Sequence, residues 1–154
     1  LHISANPDLA NQRYLDKLGE GTHLLPGAEE LCCSLSPFCK LYLATNGISR
    51  SQHSRLEKSA IRDYISDIFV SEDIGFRKPQ KEYFDCIFSS IGLRAKDRVL
   101  MIGDSLSSDI QGGINIGIDT CWINPNHLSG KGIPYTYEID SLSSVYSLIF
   151  PEKK

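Results

Sequence analysis

Two aspartates five residues apart, Asp104 and Asp109, stand where this sequence could best do chemistry. They follow Val99-Leu100-Met101-Ile102-Gly103, an apolar run that ends in a turn signal and reads as a strand covered on both faces. The next stretch, 106–117, reads as a helix, with Ile110, Ile114 and Gly117 at helical spacing and Ser105 or Ser107 able to cap its start. Asp104 is thereby expected at the carboxyl end of a strand, where open α/β sheets bind ligands. Asp109 is expected in the first helical turn, where the helix dipole favours its charge. Two carboxylates with hydroxyls between them make a hard oxygen site of the kind magnesium accepts. Taken alone, the segment reads equally well as a turn aspartate followed by a capping acid.

Two further groups have the right types for holding phosphate. Thr45-Asn46-Gly47 brings a hydroxyl, an amide and a glycine N–H directly after an apolar run, at a turn leading into a helix. Such a turn can cradle anionic oxygens, although an Asn-Gly pair by itself is an ordinary turn. Lys78 precedes Pro79, which pushes it to extended geometry and is expected to start a helix. A cation there opposes the helix dipole, and a fixed anion nearby would supply its reason. A lone lysine is more often solvated. Each signal is weak singly, and their order and separation make the set specific.

The elements that must position these groups alternate in type. Helices are expected at 7–18, 26–35, 51–61, 79–91, 106–117 and 142–150. Strands are expected at 39–44, 67–71, 98–102, 118–123 and, at the edge, 135–139, with 72–77 and 124–134 as loops. Strands alternating with helices at this spacing argue for βαβ units and a parallel sheet covered on both faces. Right-handed crossovers then bring all three polar groups to one edge of that sheet.

Composition bounds the rest. The 154 residues fit one domain with a sizeable core, at 41% hydrophobic and 23% charged content. A net charge of −3 with scattered Lys and Arg gives no footprint for a nucleic acid polymer or an anionic membrane. No apolar stretch reaches the length of a membrane span and no signal peptide opens the chain, so a cytoplasmic location is expected. Cys32, Cys33, Cys39, Cys86 and Cys121 are odd in number and lack C-x-x-C spacing, which suits reduced, mostly buried thiols, and the dispersed His do not complete a zinc site. The chain opens on Leu1 within a polar helical pattern, as a portion of a longer protein would.

The set Leu43-Ala44-Thr45-Asn46-Gly47, Arg77-Lys78-Pro79 and Gly103-Asp104-Ser105 through Ser108-Asp109 resembles motifs two, three and four of the haloacid dehalogenase superfamily. Phe69-Val70-Ser71-Glu72-Asp73-Ile74-Gly75, Ser108-Asp109-Ile110-Gln111-Gly112-Gly113-Ile114-Asn115 and Thr120-Cys121-Trp122-Ile123-Asn124 are similar to its pyrimidine 5′-nucleotidase branch. The resemblance covers the chain from about Leu24 onward. It implies a Rossmann-like three-layer α/β core with a mainly parallel sheet over 21–154. Residues 1–20 would be the last helix and hinge of an incomplete helical cap.

It also implies roles. Thr45 would hydrogen-bond the transferring phosphoryl group, helped by Asn46 and nearby backbone N–H groups including that of Gly47. Lys78 would neutralise charge on the nucleophile and phosphoryl oxygens. Asp104 would ligate Mg²⁺ directly, and Asp109 would support the ion or its waters. Positioning plus charge stabilisation is what phosphoryl transfer requires. The expected activity is Mg²⁺-dependent hydrolysis of a small phosphate ester, a nucleoside 5′-monophosphate by similarity.

One departure from the pattern is large. The family's first motif, Asp-x-Asp-x-Thr/Val, carries the nucleophilic aspartate on the central strand of the sheet, and this sequence has no such segment. Asp97 precedes its strand and Asp140 follows an edge strand, so neither substitutes. The missing strand would lie between those expected at 39–44 and 98–102, leaving both unpaired. The chain alone is therefore expected to be inactive, with the missing segment or a second chain completing the sheet. Two alternatives remain: a truncated form that binds a partner without catalysis, and another reaction on the same scaffold, a phosphomutase or dehalogenase. The intact Asp104/Asp109 pair argues against dehalogenation, which does not use the metal.

Overall fold

A computed structural model of the chain describes residues 6–150. Residues 1–5 of the expected cap segment and 151–154 of the expected core lie outside the described residues.

The element order is helix α1 (Pro7–Glu20), α2 (Ala28–Leu35), strand β1 (Leu41–Thr45), α3 (Ser49–Glu57), β2 (Ile65–Val70), α4 (Ser71–Ile74), α5 (Lys81–Ser90), β3 (Leu100–Gly103), α6 (Gln111–Ile116), β4 (Asp119–Ile123), β5 (Tyr137–Ile139) and α7 (Ser144–Ile149). Asn6 caps α1, its side-chain oxygen accepting from the N–H groups of Asp8 and Leu9. Gly27, at φ 79°, turns the chain into α2 in a conformation that penalises any residue with a Cβ.

All strand pairs are parallel, but they form two sheets rather than one. β1 pairs with β2, and β3-β4-β5 forms the other sheet with β5 at its edge. Side-chain alternation shows that both sheets feed the same two helical layers. Tyr42 and Ala44 of β1 and Met101 of β3 pack on the cluster of Phe69, Tyr83, Phe84, Ile87, Phe88, Ile116 and Ile118, beneath α5 and α6. Leu41 of β1 and Leu100 and Ile102 of β3 pack on the opposite cluster of Leu35, Cys121, Ile139 and Val145, beneath α2 and α7. A third cluster of Leu56, Ile61 and Ile65 seats α3 on Leu41, Leu43 and Ile68. The result is a three-layer Rossmann-like core whose middle layer holds two sheets, with no hydrogen-bonded pairing between β1 and β3.

The missing pairing between β1 and β3 coincides with an anomaly of burial. Leu41-Tyr42-Leu43-Ala44 and Leu100-Met101-Ile102 have the composition of interior strands, yet every one of these residues is only half-buried. Thr120, Cys121 and Trp122 of β4, paired on both sides, are fully buried.

The structure corrects several local expectations. Residues 72–77 are not all loop: 71–74 form the short α4, closed by Gly75 at φ 81°. Helix α5 begins at Lys81 rather than Pro79, so Lys78 lies in the loop as expected but three residues ahead of the helix. The stretch expected as one helix over 106–117 opens with a π-helical turn, Leu106–Ile110, before α6. Ser105 rather than Ser107 caps it, accepting from the Ser108 N–H at 3.3 Å. Of the cysteines only Cys121 is buried; Cys33, Cys39 and Cys86 are exposed, because their helices and turn face them outward.

Candidate active site

Thr45 ends β1 with Asn46 and Gly47 directly after it, and Asp104 follows β3, so both groups lie at carboxyl ends of parallel strands. Lys78 joins them. Its ammonium donates to the carbonyl of Ala44 on β1 and lies 2.7 Å from Asp109 Oδ1 on the β3 side. Both side chains are only 8% exposed. The solvated-lysine reading is thereby excluded.

Burying that charge requires a rigid holder, and three elements supply it. The Asn46 amide makes two hydrogen bonds to one residue: its Nδ2–H donates to the Lys78 carbonyl and its Oδ1 accepts from the Lys78 N–H, each at 2.9 Å. Gln80 Oε1 accepts from the Arg77 N–H at 2.9 Å. Asn115 of α6 donates to the Pro79 carbonyl at 3.0 Å. Sequence reasoning gave Asn46 to the phosphoryl group and missed this clamp, because the partner lies 32 residues away on the neighbouring loop. One N–H and one lone pair of the amide remain for a ligand.

Asp109 is turned back from the π-helical turn toward β3. Its Oδ2 accepts from the Ser105 N–H at 3.2 Å. This approach depends on Gly103: a Cβ there would stand 2.4 Å from Asp109 Oδ2 and 2.5 Å from its Cγ. The expected dipole effect of a first-turn acid is thus not what places it; the ammonium and the glycine gap do. Asp109 Oδ1 is buried and, despite the nearby ammonium, accepts no hydrogen bond of good geometry. Asp104 is exposed, and its main-chain carbonyl accepts from the Trp122 indole N–H at 3.0 Å.

The exposed Asp104 carboxylate and Asp109 Oδ1, buried without a hydrogen bond and 2.7 Å from Lys78 Nζ, are the hard oxygens this edge offers a divalent cation. Among the described residues no group of three His, Cys, Asp or Glu side chains converges. Magnesium needs only one or two carboxylates and keeps several waters, so these two residues would be the ones to hold it. Parallel strands with a buried lysine and two carboxylates gathered at one edge are the arrangement expected of a haloacid dehalogenase-like fold.

Comparison with known proteins agrees. The chain belongs to the haloacid dehalogenase-like hydrolase family, whose model matches residues 4–123. It is 44% identical over 147 residues to the Bacillus subtilis (strain 168) protein YfnB, covering 94% of this chain and 62% of that one. It is 36% identical over 148 residues to the pyrimidine 5′-nucleotidase YjjG of Escherichia coli (strain K12), covering 96% of this chain and 66% of YjjG. With the pyrimidine 5′-nucleotidase PynA of Streptococcus pneumoniae the identity is 43%, over 84% of this chain and 56% of PynA. A crystal structure of YfnB bound to magnesium superposes with a TM-score of 0.86 at 42% identity, covering 96% of this chain and 65% of that one. The chain spans somewhat less than two thirds of the length of these relatives. Among the described residues, no helix is long and apolar enough to cross a membrane.

Proposed function

We propose that this chain is the larger part of a magnesium-dependent phosphatase acting on a small phosphorylated substrate, a nucleoside 5′-monophosphate in keeping with YjjG and PynA. The observation that carries the proposal is Lys78, a buried lysine whose Nζ bridges Ala44 of β1 and Asp109 beyond β3, strands of separate sheets; on this reading a slot for one further strand lies between them. A strand entering that slot would pair on both sides and deliver its carboxyl-terminal residues beneath the ammonium. In this family that strand carries Asp-x-Asp-x-Thr/Val and with it the nucleophile.

The chain's own residues then have distinct tasks. The Thr45 hydroxyl and Gly47 N–H bind phosphoryl oxygens. Lys78 lowers the charge repulsion between an incoming carboxylate and the phosphoryl group, and Asn46 keeps it from swinging out to water. Asp104 and Asp109 would hold the magnesium, which supplies charge neutralisation of the transferring group. Residues 1–20 are assigned to a helical cap and 21–154 to the core. A binding role without turnover is the second reading, supported by the unpaired flanks of β1 and β3.

The test is Mg²⁺-dependent phosphate release from UMP or CMP by the 154-residue chain, with and without a synthetic strand bearing Asp-x-Asp-x-Thr. No release from the chain alone and release with the peptide, abolished by Asp104→Asn, is the expected result. Turnover by the chain alone would place the nucleophile within it and overturn the slot. A bound peptide without turnover would leave the binding role.

A further inference from the structure

The only tryptophan of the chain lies against the candidate metal side, and nothing in the chemistry above uses it. Gly103 and Trp122 form the last residue pair of the β3–β4 ladder. Beyond it, main-chain hydrogen bonding between the two strands stops. The indole N–H of Trp122 then reaches one residue further and donates to the carbonyl of Asp104 at 3.0 Å. A side chain thereby extends the ladder by one rung, to the residue whose carboxylate is assigned to magnesium.

The indole is itself held. It is 2% exposed and packs against the Tyr135 ring at 5.4 Å between centroids. The Tyr135 hydroxyl donates to Glu138 Oε2 at 2.6 Å. Glu138 is the β5 residue in register with Trp122, and its Oε1 accepts from the buried Asn124 amide. That amide also bonds both the N–H and the carbonyl of Leu128, which ties down the loop after β4. A buried tryptophan needs some partner for its N–H. Here that partner is the functional residue, and a two-strand polar network fixes the ring that reaches it.

We infer that Trp122 is a positioning residue for Asp104, held by Tyr135, Glu138 and Asn124, and that it sets the affinity of the site for magnesium. The inference rests on the assignment of Asp104 to the metal. Groups outside the ligand shell that orient ligands change metal affinity by roughly 10–100-fold when removed.

The experiment is calorimetric titration of the 154-residue chain with Mg²⁺, comparing wild type, Asp104→Asn and Trp122→Phe. Trp122→Phe keeps an aromatic ring and removes the N–H. Its affinity is expected to fall by about tenfold or more, with a far-ultraviolet circular dichroism spectrum like wild type. If wild type binds, Asp104→Asn does not, and Trp122→Phe binds as wild type, the positioning role is wrong and the metal assignment stands. If wild type itself shows no binding, or Asp104→Asn binds unchanged, the metal assignment fails and takes the inference with it. Should Trp122→Phe not fold, 5-fluorotryptophan placed at this single site serves instead. Its ¹⁹F resonance should shift along the wild-type Mg²⁺ isotherm and stay fixed in Asp104→Asn; a resonance that ignores Mg²⁺ in wild type overturns the role.

Discussion

Lys78 Nζ and Asp109 Oδ1 face each other at 2.7 Å in a region where both side chains are only 8% exposed. Desolvating a charge is tolerated when a counter-ion and hydrogen bonds compensate, and becomes expensive when one partner is removed. Lys78→Met keeps the length of the side chain and leaves Asp109 as a buried, uncompensated carboxylate. It should lower stability by about 3–5 kcal/mol in urea unfolding. Adding Asp109→Leu should recover most of that loss, because an apolar pair of similar volume replaces a buried ion pair at little cost. A double variant as unstable as the single one would show that Lys78 is held by its Ala44 and Asn46 contacts rather than by the carboxylate.

At the scale of elements, the loop ahead of α5 is held by the loop after β1 through one amide. Both Asn46 hydrogen bonds reach main-chain groups of Lys78, so the residue acts as a clip between two strand ends. Asn46→Ala leaves a half-buried N–H and carbonyl to find other partners, a loss of about 1–3 kcal/mol. Asn46→Asp retains the acceptor but sets a carboxylate oxygen against the Lys78 carbonyl, so it should not rescue. Faster hydrogen exchange at the Lys78 amide in both variants is the measurement that checks this. Protection equal to wild type would mean Gln80 and Asn115 hold the loop without the clip.

The whole molecule divides its thiols sharply by environment. Burial in the core pushes the Cys121 thiol up to about 11, and burial also raises Cys32 and Cys39, less strongly. Thiolate is the reactive form, so Cys121 should resist alkylation in the native chain at pH 8. Exposed Cys33, Cys39 and Cys86 should label first, and Cys121 only on unfolding, as resolved by peptide mass mapping. Early labelling of Cys121 would mean that the β3-β4-β5 sheet opens readily. That sheet borders the slot, so such opening would trace to the unpaired edge of β3. A strand filling the slot should then slow it, since a ligand bound only by the folded state stabilises that state.

Much of the architecture was legible in the chain because it is written in local patterns. Apolar runs ending in Gly-Asp or Thr-Asn-Gly mark strands and their functional ends, and the spacing of Tyr83, Phe84, Ile87 and Phe88 marks α5. The order of polar groups along the chain, with the parallel topology that alternation requires, already placed Thr45, Lys78, Asp104 and Asp109 at one edge. Local pattern says little about partners distant in sequence. Whether Lys78 was solvated or buried, and whether Asn46 served a ligand or the Lys78 main chain, depended on which loops met. The use of Gly103 depended on Asp109 folding back against it, and that of the Trp122 indole on register across β4. The sequence by itself determined the strand and helix order and the kinds of charge at the sheet edge, because periodicity and turn chemistry act over a few residues. That β1 and β3 do not pair, and that Lys78 bridges their ends, came only with the tertiary contacts, because hydrogen bonding and desolvation depend on groups far apart in the chain.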